Sequence, residues 1–262
     1  MRVLLIGAGR MGSALLKGWR AGRIKSILVV EPRPSAEIRK LAKAGAITLL
    51  AAPSQVQGRI EACVVAIKPQ VLKGEAAALA AIARDALMIS IAAGTSIAAL
   101  QKAWGKKARI VRAMPNTPGA IGRGITGLYA GRGVGASDRK RADALLSALG
   151  QTLWVKKEAL IDSVTALSGS GPAYVFHLVE AMAAAGVRLG LSRADAERLA
   201  RATVAGAGAL LDADKASAAN LRIAVTSPGG TTEAALEVLM PELTGLMTRA
   251  LKAARKRAEA LR

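Results

Sequence analysis

Histidine and cysteine each occur once in the 262 residues, as His177 and Cys63. A lone cysteine makes no internal disulfide, and its neighbours Val64 and Val65 mark it as a small buried hydrophobe in a reducing compartment, so a cytoplasmic protein is expected. A lone histidine excludes a His-rich metal site, and any Ser-His-Asp triad would depend on it alone. His177 lies among Phe176, Leu178 and Val179, where a hydrogen-bonded packing role is expected. No metal ligand is assigned.

Aromatic residues are also scarce, with three Trp, two Tyr and one Phe. The 52% hydrophobic content rests instead on small aliphatic side chains, chiefly alanine, which favours close helix packing over an aromatic-rich β core. Acidic residues are outnumbered, 18 against 38 Lys and Arg, for a net charge of +20. Such a field steers small anions into a cleft as readily as it attracts a polyanion. The densest basic run, Lys252 to Arg262, alternates with Ala and Leu near a helix C-terminus, where positive charge is favoured, and has no interleaved aromatic for base stacking. No nucleic-acid partner is expected. Long apolar runs are missing too: stretches without charge, such as 86–101 and 164–179, fall short of a bilayer span, so no membrane partner is expected. Gly7 ends the apolar run that follows Arg2 after four residues, too early for a secretory leader.

What is present is ordered in two styles. Through about residue 155 the runs VLLIG, ILVVE, ACVVAIK, ALMISIAAG and ARIVRAM alternate with segments long enough for crossover helices. This is the rhythm of an α/β fold with a Rossmann-type doubly wound parallel sheet. After Trp154 the β-branched runs vanish and helical spacing takes over. The expected domains are a dinucleotide-binding domain over 1–155 and an all-helical domain over 156–262. Helices such as PAYVFHLVEAMAAAGVRLG are apolar on most sides, and about 105 residues cannot bury them internally, so the second domain is expected to pair with a second copy of itself.

Gly7-Ala8-Gly9-Arg10-Met11-Gly12 fits G-x-G-x-x-G between a strand and a helix. One glycine turns the chain, one admits a pyrophosphate and one lets helix and strand touch. The amides and positive end of that helix would receive the phosphates. Glu31 closes the second strand, where a carboxylate takes a ribose hydroxyl and favours NAD, whereas Arg33 and Ser35 suit a 2′-phosphate. NADPH is expected as the cofactor, with NADH also used. Ala66, Lys68 and Pro69, then Ala93 and Gly94, then Asn116 follow later strands at the edge where open α/β sheets bind ligands, and are expected to line the same crevice.

Two late motifs remain, Ser168-Gly169-Ser170-Gly171-Pro172-Ala173-Tyr174 and Ser227-Pro228-Gly229-Gly230-Thr231-Thr232-Glu233. Each is a flexible turn feeding a helix. Together with GAGRMG, AIKPQ and MPNTP, in this order along essentially the whole chain, they resemble pyrroline-5-carboxylate reductase. The last two motifs are the specific ones, since the others also suit neighbouring dehydrogenase families.

The resemblance implies reduction of 1-pyrroline-5-carboxylate to L-proline, the last step of proline biosynthesis, by hydride transfer from a nicotinamide to a cyclic imine. It also implies a substrate site at Ser227, Gly229, Gly230, Thr231 and Thr232, with the backbone amides of Gly229, Gly230, Thr231 and Thr232 on the carboxylate and the Thr232 hydroxyl, the catalytic candidate, on the ring nitrogen. It implies a homodimer, with a decamer of five dimers as the larger assembly. One departure stands at Ile223-Ala224, where the family often carries a polar or acidic residue. Two other readings suit the first domain or the charge: a β-hydroxyacid dehydrogenase or another imine reductase, the former using a helical lysine that is missing between Lys157 and Lys215, and a nucleotide-sensing or nucleic-acid-associated binding module.

Overall fold

A computed structural model describes residues 1–22, 24 and 26–261, and the side chains of Pro69 and Lys73 also lie outside the described residues, as does Arg262 of the basic run. Two compact units divide the chain: residues 1–169 with 255–262, and residues 170–254.

The first unit is built on eight strands: β1 (Arg2–Ile6), β2 (Ser26–Val30), β3 (Thr48–Leu50), β4 (Ala62–Val65), β5 (Leu87–Ser90), β6 (Arg109–Met114), β7 (Gly124–Ala130) and β8 (Gly150–Trp154), lying in the order β3-β2-β1-β4-β5-β6-β7-β8. Side chains of successive strand residues point to opposite faces, so near-continuous apolar runs require cover on both. One face buries Val3, Leu5, Val29, Val64, Ile89 and Val111 against Leu15, Leu16 and Trp19 of α1 (Arg10–Ala21). The other buries Leu4, Leu28, Cys63, Val65, Met88 and Ile110 against helices that include α4 (Ala76–Ala83) and α5 (Ile97–Trp104). The remaining α-helices of this unit before residue 165, among the described residues, are α2 (Ala36–Lys43), α3 (Pro69–Gly74), α6 (Ala136–Leu146) and α7 (Leu160–Val164), and a π-helical turn follows at Thr165–Gly169.

All five runs picked out by composition are strands, and β3, β7 and β8 join them. The pair β6–β7 is antiparallel while every other pair is parallel. The cause is loop length. Only residues 115–123 join β6 to β7, too few for a crossover, whereas α6 carries the chain from β7 back to a parallel β8. The sequence of β7 hides its strand character because two of its seven residues are glycine. Gly127 is small for a reason: a Cβ there would lie 2.6 Å from the Val164 side chain of α7.

The second unit is helical, with α8 (Gly171–Arg188), α9 (Arg193–Ala213), α10 (Ala218–Ala224) and α11 (Thr231–Ala260), the last turns of which cluster with the first unit. Helices α8 and α9 meet through small residues: Ala183, Ala196 and Ala200 are buried, and a Cβ on Gly186 would come within 3.2 Å of the Ala196 methyl. His177 departs from the packing role expected of it. Its position on α8 faces outward in the single chain, and Nδ1 pairs with Glu180 at 2.9 Å. Cys63 is fully buried, and burial pushes its thiol up, away from thiolate chemistry.

Candidate active site

The glycine-rich turn between β1 and α1 has the geometry its spacing predicts. Gly7 adopts φ +91°, open to glycine and costly for other residues, and its amide donates to Val30 O at 2.9 Å. A Cβ on Gly12 would collide with the Gly7 carbonyl oxygen, so the third glycine is what brings helix and turn together. A Cβ on Gly9 would meet nothing within 4 Å, which leaves backbone open to a close-lying ligand. Helix α1 starts at Arg10 with no side-chain cap, in contrast to α2, α5, α9 and α10, whose entrances are closed by Ser35, Ser96, Ser192 and Ser217. Its first amides and positive end therefore face outward, a ready anion site. These residues fit a dinucleotide pyrophosphate.

Glu31, at the end of β2, accepts from the Ala8 amide at 2.9 Å and from the Arg33 amide at 3.1 Å. Its carboxylate thus braces the glycine turn and the following loop at once. Arg33 is exposed. Ser35 caps α2 by accepting from Ile38 N at 3.3 Å, which uses an oxygen lone pair and leaves the O–H free to donate outward. Met11 packs near Gly119, with Cε 3.3 Å from where a Cβ on Gly119 would sit.

The other expected residues stand at the carboxyl ends of parallel strands. Ala66 follows β4 and donates its amide to Ile6 O at 2.8 Å, with its own carbonyl 2.9 Å from a Cβ placed on Gly7. Exposed Lys68 precedes α3, and Pro69 starts that helix with a side chain outside the described residues. Ala93 and Gly94 lie in the loop after β5, and Asn116 follows β6, where its Oδ1 accepts from Ile125 N at 3.0 Å and ties this loop to β7.

The second motif forms the entrance to α11. Gly229 adopts φ +68° and donates its amide to Glu233 Oε2 at 2.7 Å, while the Gly230 amide donates to Ser227 O at 3.0 Å. Two of the four amides expected to face a carboxylate are thereby engaged inside the turn. The amides of Thr231 and Thr232 and the Thr232 hydroxyl make no hydrogen bond among the described residues, and Thr232 is half-buried. Glu233 at the third helical position is a customary acidic partner of a helix entrance. Composition gave no sign that it takes the Gly229 amide.

Sequence reasoning also passed over a charged cluster in the first unit. Arg112, inside the apolar run ARIVRAM, is 3% exposed at its side chain and bridges Glu158 at 3.1 Å and Asp162 at 3.5 Å. The available signal was a guanidinium in the middle of a buried strand, which must find carboxylates. Among the described residues no three His, Cys, Asp or Glu side chains gather as a metal site, and no helix is long and apolar enough to cross a membrane.

Comparison with known proteins agrees along the whole chain. Residues 158–261 match the family model for pyrroline-5-carboxylate reductase dimerisation, and residues 2–94 match the model described as NADP oxidoreductase coenzyme F420-dependent. The pyrroline-5-carboxylate reductase of Pseudomonas aeruginosa is 41% identical, over 99% of this chain and 96% of that protein. The solved pyrroline-5-carboxylate reductase of Coxiella burnetii superposes with a TM-score of 0.92 at 36% identity, covering 99% of this chain and 98% of its own. That of Plasmodium falciparum, solved with NADP bound, gives 0.81 at 26% identity, covering 100% and 98%. The chain forms a homo-oligomer through its helical region, and it belongs to the pyrroline-5-carboxylate reductase family.

Proposed function

We propose that this chain reduces 1-pyrroline-5-carboxylate to L-proline with NADPH, NADH being the poorer donor, and that two helix entrances divide the work. The observation that carries the division is that α1 and α11 both begin with outward-facing amides, each preceded by glycines. When bound, the dinucleotide supplies the hydride. The turn Gly7–Gly12 and the start of α1 hold its pyrophosphate, with Arg10 and Met11 at the helix mouth. Glu31 braces that turn, Arg33 and Ser35 take a 2′-phosphate, and Ala66, Lys68, Pro69, Ala93, Gly94 and Asn116 border the crevice.

The imine carboxylate belongs at α11. The Thr231 and Thr232 amides donate to it, and the helix dipole adds about 0.3 to 1 kcal/mol. Gly229 and Gly230 shape the turn, Ser227 closes it through its carbonyl, and the Thr232 hydroxyl oxygen accepts from the ring N–H. The substrate iminium already carries its proton. Hydride addition at the adjacent carbon neutralises the nitrogen, so no strong general base is required, in keeping with a chain whose single histidine is exposed. The rate then comes from positioning and water exclusion.

A homodimer is the smallest assembly that covers the helical faces, and a ring of five dimers is the larger one proposed. With one buried cysteine, a reducing cytoplasmic setting suits the protein. The test is spectrophotometric: nicotinamide oxidation with 1-pyrroline-5-carboxylate, run with each cofactor. Turnover with a higher kcat/KM for NADPH is expected. Absence of turnover with both would overturn the assignment.

A further inference from the structure

The loop from Ile91 to Ser96 carries Ala93 and Gly94, which border the dinucleotide crevice in the reading above, and the inference here rests on that reading. Its start is fixed by the sheet: Ile91 N donates to Val65 O at 3.1 Å, and Ser90 Oγ accepts from Ala92 N at 3.3 Å. Its end is fixed from far along the chain. Glu158 Oε1 accepts from Ile97 N, the first amide of α5, at 2.7 Å, and from Arg112 Nη1 at 3.1 Å. Arg112 is itself locked in the sheet, paired in register with Ser90 and Tyr129, and its second nitrogen lies 3.5 Å from Asp162 Oδ1. The middle of the loop is also hemmed in, since the Leu261 carbonyl oxygen stands 2.7 Å from where a Cβ on Gly94 would sit.

A buried ion cluster of this kind is a poor way to gain stability, because apolar side chains of equal volume serve as well. It is a good way to fix one register. The Glu158 carboxylate satisfies a helix-entrance amide that would otherwise be open to an anion, and it does so while paired with a guanidinium that β6 carries and that also lies beside Asp162.

We propose that Glu158 is a positioning residue for the dinucleotide: held by Arg112, it sets the start of α5 and thereby the Ala93-Gly94 loop. The test measures the Kd of NADPH by titration calorimetry, the KM of the imine and the thermal midpoint for Glu158→Ala and Glu158→Gln in the full chain. Glu158→Ala should weaken NADPH binding roughly tenfold, the scale of one charge-assisted hydrogen bond, with the imine KM within about twofold of wild type. Glu158→Gln should recover most of the affinity, since its amide oxygen still accepts from Ile97 N. Wild-type affinity in Glu158→Ala would overturn the proposal. So would equal losses for both ligands that track a lowered thermal midpoint and persist in Glu158→Gln. Because the affinity is read without turnover, a wild-type chain that binds NADPH but leaves the imine unreduced would count against the reaction and not against this role.

Discussion

The two units of the chain treat apolar surface in opposite ways. In the first, strand side chains such as Leu4, Leu5, Val64 and Ile89 are completely hidden between helices on both faces of one sheet. In the second, the buried residues that pack α8 on α9 are three alanines, while Leu239, Leu243 and Leu246 lie along one stripe of α11 at 51%, 48% and 54% exposure. The spacing i, i+4, i+7 is that of a helix face meant to be covered. The first unit hides its central strands within one chain, whereas the stripe on α11 is an open apolar face of the kind a homo-oligomer contact covers.

That contrast breaks most sharply with paired substitutions. Leu243→Glu should dissociate the homo-oligomer, at a cost on the order of 4 kcal/mol for placing charge in an apolar interface, and light scattering at micromolar concentration should report the monomer mass. Leu79→Ala, in the hidden core of the first unit, should instead cost about 2 to 5 kcal/mol of unfolding free energy with the oligomer mass unchanged. An unchanged mass in Leu243→Glu would remove this stripe from the interface.

The glycine turn gives the next largest effect. Gly12→Ala drives a methyl into the Gly7 carbonyl and should weaken NADPH binding about 100-fold, whereas Gly9→Ala meets open space in the chain and should fold normally with roughly a tenfold loss. Equal losses would mean that the turn's shape, not access to its backbone, governs affinity.

Thr232→Ala tests the other helix mouth and should lower kcat/KM by about 1 to 3 kcal/mol, leaving the KM of NADPH unchanged. An unaltered rate would reduce Thr232 to a residue of the helix entrance. Smallest of all, Arg33→Ala should cost about 1 kcal/mol of NADPH affinity and much less of NADH affinity, measured by titration with each. Equal changes would move the 2′-phosphate contact elsewhere.

Much of this was legible because the signals were local. The five apolar runs had to be strands buried on two faces, and the glycine fingerprint forced its own turn. The change after Trp154 coincides with the end of β8, although residues 155–169 cluster with the first unit. What stayed hidden depends on partners far away in sequence. Glycines in β7 weaken the strand pattern, yet Gly127 is set by Val164. Glu158 looks like an ordinary surface acid until Arg112 and the Ile97 amide converge on it. The α11 entrance was hidden for another reason: its partners lie only three and four residues apart, but the shape of the turn decides that Glu233 and Ser227 take the Gly229 and Gly230 amides. His177 reads as a core residue from its neighbours, but Phe176 and Leu178 are themselves 63% and 51% exposed in the single chain, so an apolar run there does not mark that chain's own core.

The most direct test is a crystal structure of the protein soaked with NADPH and L-proline. The pyrophosphate should lie on Gly7–Gly12 and the proline carboxylate on the Thr231 and Thr232 amides, with the nicotinamide carbon beside the proline ring. Proline bound away from the start of α11, or a dinucleotide away from the start of α1, would contradict the account.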